Sequence, residues 1–244
     1  MRKLLSRIAF VHKCVGCNKI LDKDDFNRAF CFDCREIYLV SKMEICPDCA
    51  QEVKECRCMP KLLKKEGALC FRKLFFYNKN KETQPQNRLI YFLKRNKSRR
   101  VIRDISKELE PFIKKELDDI EAENDAILVS VPRSRSSEAR YGFDQSVLIC
   151  KELSILCNIE FVEILKRKRG GKPQKMLTAG ERKKNIGRLL YADKKLACKV
   201  NGKTVVLIDD VVTTGASMSA CIDILKKAGA NGVICVALSS DINL

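Results

Sequence analysis

Residues 205–217, "VVLIDDVVTTGAS", decide the fold. Val205 to Ile208 are aliphatic, Asp209 and Asp210 follow as a pair, and a turn of threonines, glycine and serine comes next. An apolar run of this length predicts a strand buried on both faces, as in a parallel sheet. Ligands of such sheets bind beyond the carboxyl ends of the strands, which is where the two acids stand. Carboxylates there accept charge-assisted hydrogen bonds from the vicinal hydroxyls of a ribose. Thr213, Thr214, Gly215, Ala216 and Ser217 then open a helix. Free backbone amides, the helix dipole and three hydroxyls form a cradle for a phosphate, and Gly215 lets the backbone come close to the anion. The stretch reads as a clamp for a ribose 5-phosphate. It is not a Walker loop, because no lysine follows a glycine-rich run. The competing reading is a strand–turn–helix with incidental acids and an ordinary Thr or Ser cap.

Outward from this strand the chain keeps an α/β rhythm. "CFRKLFFY" (70–77), Ala126 to Val131 of "DAILVSVP", ended by Pro132, "EFVEIL" (160–165), "KTVVLI" (203–208) and "GVICVAL" (232–238) are predicted strands. Helices are predicted over "PQNRLIYFLKRNK" (85–97), "VIRDISKELEPFIKKELDDI" (101–120), with Pro111 kinking or dividing it, "FDQSVLICKELSILCN" (143–158) and "GASMSACIDILKKAG" (215–229). Alternating strands and helices imply a parallel sheet with right-handed crossovers.

The amino-terminal quarter is different. Eight of the fourteen cysteines lie between Cys14 and Cys58, as "CVGC" (Cys14, Cys17), "CFDC" (Cys31, Cys34), "CPDC" (Cys46, Cys49) and "CRC" (Cys56, Cys58). Each pair offers two thiolates from one tight turn, which suits a tetrahedral metal. The simplest grouping is two structural zinc ions, one on Cys14, Cys17, Cys31 and Cys34, the other on Cys46, Cys49, Cys56 and Cys58. An interleaved pairing, a redox dithiol and an iron–sulfur cluster are the alternatives. Closed shells of four thiolates leave no position for water, so neither metal is expected to be catalytic. The module should end near residue 67, giving a cysteine-rich double zinc ribbon over 1–67 and an α/β domain over 68–244. From the sequence, a chelator is expected to unfold residues 1–60 and spare the larger domain.

Charge sharpens the contrast. The chain carries a formal net charge of +17. Residues 1–67 contribute +4, which eight thiolates and two zinc ions would cancel, whereas residues 68–120 contribute +7 and 163–190 contribute +8. Focused positive charge attracts nucleic acid or a phosphorylated small molecule, or simply forms a solvated face. No apolar run approaches the roughly 20 residues of a membrane helix, and Arg7 interrupts the apolar part of the basic start, so a cytoplasmic protein without membrane insertion is expected.

The 205–217 stretch resembles the phosphoribosylpyrophosphate-binding motif of type I phosphoribosyltransferases. The chain as a whole resembles the ComF (ComFC-like) family, in its cysteine pairs, "SVP" (130–132), "RYGFDQ" (140–145) and "PQKMLTAGERKKNIG" (173–187). Family members usually read Arg-Gly-Phe-Asn-Gln where this chain has "YGFDQ", so Tyr141 and Asp144 replace an arginine and an asparagine. The resemblance implies a glycosyltransferase-class enzyme that binds phosphoribosylpyrophosphate with Mg2+ and moves ribose 5-phosphate to a nitrogen acceptor. It implies a pyrophosphate loop at Arg133, Ser134 and Arg135. It also implies a mobile loop carrying Gln174, Arg182 and Asn185, with Arg182 joining Asp209 and Asp210 as catalytic residues. It associates the chain with natural competence, with single-stranded DNA or competence proteins as partners. The alternative is a non-catalytic phosphoribosylpyrophosphate sensor or a single-stranded DNA-handling adaptor.

Overall fold

A computed structural model describes residues 11–78, 80, 82–168 and 185–242. Its centre is a five-stranded, all-parallel sheet, in the order β1 (Cys70–Tyr77), β7 (Gly232–Asp241), β6 (Thr204–Val212), β2 (Ala126–Ser130) and β3 (Glu160–Phe161). In β6, Val206 and Ile208 face one core while Val205 and Leu207 face another, and Ile234 and Val236 alternate with Val233 and Cys235 in β7. Both faces are therefore covered, which explains why these strands read as unbroken apolar runs.

One face packs on α3 (Pro85–Leu93), the 20-residue α4 (Arg99–Asp118) and α6 (Gln145–Cys157). The other packs on α7 (Ala216–Lys227) and on Leu63 of the short α2 (Lys61–Lys65). Helix α5 (Arg135–Tyr141) follows β2, and β4 (Leu165–Arg167) pairs antiparallel with β5 (Leu190–Ala192) as a separate hairpin. Two expectations need correction. "EFVEIL" is not one strand: Glu160 and Phe161 pair with β2, and Leu165 then enters the β4–β5 hairpin. Of the two outcomes expected at Pro111, kinking or division, the division does not occur: α4 runs through it as one helix. Both Pro111 and Lys107, whose carbonyl loses its donor, are exposed, so water can satisfy that carbonyl.

The cysteine segment is built from two alike turns. In the first, Cys14 N donates to Lys19 O at 2.8 Å and Asn18 N to Cys14 O at 2.9 Å; in the second, Cys46 N donates to Gln51 O at 2.8 Å and Ala50 N to Cys46 O at 2.9 Å. Asn18 and Ala50 take the same left-handed conformation, with φ of 63° and 55°. Helix α1 (Phe32–Ser41) places Cys34 in its first turn. Val15, Phe30 and Tyr38 join the same core as Phe75, Leu89 and Ile90, and the Tyr38 hydroxyl donates to Glu108 of α4 at 2.9 Å. Phe76 of β1 packs on Cys46, Val53 and Cys56. Cysteine segment and sheet thus share apolar cores.

Candidate functional site

Beyond β2 the chain turns to β3 on one side of the sheet, and beyond β6 it turns to β7 on the other. The gap between β6 and β2 is the point where strand order reverses, and this geometry leaves a crevice at their carboxyl ends. Asp209 and Asp210 lie there, within the last residues of β6. Asp209 lines one concave pocket together with Thr213, Thr214, Gly215, Ala216 and Ser217, and Ile186 lines it too. Every clamp residue named from the sequence except Asp210 therefore borders one pocket.

Asp210 is buried and held from several directions. Gln145 Nε2 donates to its Oδ2 at 2.6 Å, Lys94 Nζ lies 3.5 Å from the same oxygen, and the Val211 amide donates to Oδ1 at 2.7 Å. Asp209 accepts the Asp210 amide at 2.8 Å. Loss of solvent, and then the charges of Asp210 and Asp144, push the Asp209 pKa well above the ordinary carboxylate value. Gln145 lies in the quoted "RYGFDQ" segment, but nothing in the sequence marks it or Lys94 as partners of an aspartate so far along the chain.

Neighbouring β2 leads through Val131 into the loop 132–134. The Arg133 amide donates to Asp144 Oδ2 at 2.8 Å, and the Asp144 Oδ1 caps α6 through the Ser146 amide at 2.9 Å. The two carboxylate oxygens of Asp144 thus each accept one backbone amide. The Arg133 guanidinium donates to the carbonyls of Lys94 and Phe143, each at 3.3 Å, and lies 4.8 Å from the Tyr141 ring. Tyr141 thus occupies a stacking position. Arg135 begins α5 rather than lying in the loop. A second cavity, of about 220 Å³, opens beside this loop and is walled by Ser130, Arg133, Asp144, Glu163, Lys166 and Arg167. Arg167 was not singled out in the sequence, yet burial lowers its pKa and the charges of Cys221 and Asp209 oppose that shift.

Of the loop residues named from the sequence, Gln174 and Arg182 lie outside the described residues. Asn185 is half-buried. The base of that loop is closed by β4–β5 and by the Lys168 amide donating to Leu189 O at 2.8 Å.

Among the described residues, two groups of thiols come together, Cys14–Cys17–Cys31–Cys34 and Cys46–Cys49–Cys56–Cys58, with the sulfurs of each within 4.8 Å of one another. This is the non-interleaved grouping, and four sulfurs in so small a volume could hold a zinc ion. In the first quartet, burial pushes the Cys14 thiol up, but amide donors from Cys31, Cys17 and Gly16 outweigh it and leave the pKa lowered. Cys34 is pushed up by burial and by Cys14. In "CVGC" a Cβ on Gly16 would lie 2.7 Å from the Cys34 sulfur, so only glycine lets the turn close over the quartet.

Comparison with known proteins bears on the sheet. The family model for a phosphoribosyl transferase domain matches residues 144–242. The DNA utilization protein YhgH of Escherichia coli (strain K12) is 35% identical over 107 residues, covering 43% of this chain and 45% of that protein. The transcriptional regulator GfcR of Picrophilus torridus is 42% identical over 45 residues, 18% of this chain and 23% of that protein. Among solved structures, a Trypanosoma cruzi hypoxanthine phosphoribosyl transferase aligns at 17% identity and a TM-score of 0.39, over 57% of this chain and 64% of that one. The chain spans less than half the length of these curated relatives. The family match and the parallel sheet with flanking helices give the chain a type I phosphoribosyltransferase-like fold, and the cysteine quartets fit a zinc-ribbon module. Among the described residues, no helix is long and apolar enough to cross a membrane.

Proposed function

We propose that the chain is a phosphoribosyltransferase that binds phosphoribosylpyrophosphate. The observation that carries this reading is the single pocket shared by Asp209 and the 213–217 turn at the reversal point of the sheet. Asp209 and Asp210 would accept the ribose hydroxyls, and the amides and hydroxyls of Thr213 to Ser217 would receive the 5-phosphate. The Arg133–Arg135 segment, which follows the neighbouring strand β2, is assigned to the pyrophosphate leaving group. Mg2+ carried by the pyrophosphate would neutralise its charge as it departs. Gln174, Arg182 and Asn185 are assigned to a closing loop that excludes water, with Arg182 at the reaction centre. The same proposal divides the chain into a cysteine module over 1–67, with two structural zinc ions, and a transferase domain over 68–244.

The test is pyrophosphate release from phosphoribosylpyrophosphate across a panel of nucleobases, amines and single-stranded DNA. Release with at least one acceptor, lost in Asp209→Asn/Asp210→Asn, is the expected result. No release with any acceptor would favour the sensor. The positive charge and the name of the Escherichia coli relative support a second reading, a competence-linked adaptor for single-stranded DNA. Its binding should then fall steeply with salt. Absence of binding at low salt would eliminate it.

A further inference from the structure

We infer that the second cysteine quartet and helix α2 form the back wall of the phosphate cradle, with Leu63 and Lys73 as positioning residues, so that metal occupancy at this quartet sets the affinity for ribose 5-phosphate. The inference rests on the clamp reading of residues 209–217.

Gly215 has a φ of +72°, and a Cβ added there would overlap the Leu63 side chain and meet Pro60 Cβ at 3.0 Å. The glycine is therefore needed on the side away from the pocket: α2 lies directly against the loop backbone, with no room for a methyl group. Leu63 is fully buried and shares its core with Ala216 and Met218, the residues that follow Gly215 and line the pocket. A close-packed contact of this kind transmits displacement, because the interior has little slack.

Helix α2 is fastened at both ends. At its far end Lys226 of α7, the helix that the cradle opens, donates from Nζ to Glu66 O at 2.7 Å and Gly67 O at 2.9 Å. At its near end only Met59 separates Cys58 from Pro60, the cap of α2. Cys58 is fixed in turn by Lys73 of β1, whose Nζ lies 3.2 Å from Cys56 Sγ and 3.1 Å from the Cys58 carbonyl. Lys73 is wholly buried. A buried ammonium needs a compensating negative group, and four thiolates around a divalent ion carry two net negative charges. Lys73 thus joins the metal site to the sheet, and α2 joins it to the cradle. Without the metal the four thiolates repel one another and only the turn hydrogen bonds and the Lys73 contacts remain, so the anchor of Pro60 and Leu63 loosens.

The test uses the full chain, with ribose 5-phosphate affinity by calorimetry, metal content by mass spectrometry and thermal unfolding measured together. Leu63→Ala should keep two metals per chain yet bind ribose 5-phosphate about tenfold or more weakly, as misplaced binding groups do. Cys58→Ser should lose one metal and show a comparable loss. Leu109→Ala, a buried change in α4 remote from the cradle, should lower the unfolding temperature while leaving affinity unchanged. Should Leu63→Ala not fold, Lys226→Ala, which releases only the exposed end of α2, carries the same expectation. Parent-like affinity in Leu63→Ala or Cys58→Ser, or an equal loss in Leu109→Ala, overturns the inference while the clamp reading stands. A parent chain that binds no ribose 5-phosphate refutes the clamp reading itself.

Discussion

Asp209 is where stability and function oppose each other. Its pKa is raised in the fold, so the folded state holds a proton more tightly than the unfolded chain does. Stability from this group is then fully present at low pH and is lost as pH rises from the unfolded value, about 3.9, through the raised one. Above the ordinary carboxylate range this group therefore costs stability relative to a neutral side chain. Asp209→Asn should therefore raise the unfolding temperature by a few degrees at pH 7, with no gain at pH 3, and should abolish ligand binding. A scanning calorimetry series in pH checks the sign, and a lowered unfolding temperature at pH 7 would contradict it. At this scale the sequence was informative about groups that act locally. Paired acids and a hydroxyl-rich turn announce themselves within thirteen residues. Gln145, Lys94 and Arg167 do not, because their places at the site come from α6, α3 and the hairpin folding over β6.

At the scale of elements, strands buried on both faces were legible because their apolar runs have no polar face to interrupt them. β1 was read to the residue, and β6 and β7 run on past their predicted ends, since Asp209, Val211, Ser239 and Ser240 remain in the ladder. The segment from β3 into the β4–β5 hairpin was less legible. Val162, Ile164 and Leu165 are all buried, but Val162 still bonds to Leu128 of β2 whereas Leu165 pairs in the β4–β5 hairpin, and apolar content does not say which partner a residue pairs with. The role of Gly215 was also only half visible. The sequence suggests close approach of an anion, whereas the structure adds α2 pressing from behind. Gly215→Ala should thus cost about 1–2 kcal/mol for the left-handed backbone alone, with more from displacing Leu63. Denaturant unfolding checks this, and a cost no larger than the about 1–2 kcal/mol of the backbone would mean that α2 does not press on the loop.

At the scale of the whole molecule, cysteine segment and sheet behave as partners in one core. Tyr38 and Phe75 meet edge to face at 5.7 Å, and Arg72, nearly fully buried in β1, donates to the carbonyls of Lys54 and Glu55. The sequence showed the two compositions but could not show this contact, so selective unfolding of residues 1–60 by a chelator is no longer the expected outcome. Removal of metal should instead lower the unfolding temperature of the whole chain in one cooperative transition. Two separate transitions, the second at the temperature of the untreated protein, would contradict the shared core. The central claim is the clamp itself, and it is tested most directly by calorimetric titration of the full chain with phosphoribosylpyrophosphate and Mg2+, side by side with Asp209→Asn/Asp210→Asn. Saturable binding at one site per chain, absent from the folded double variant, is the predicted result; equal binding by both proteins would contradict it.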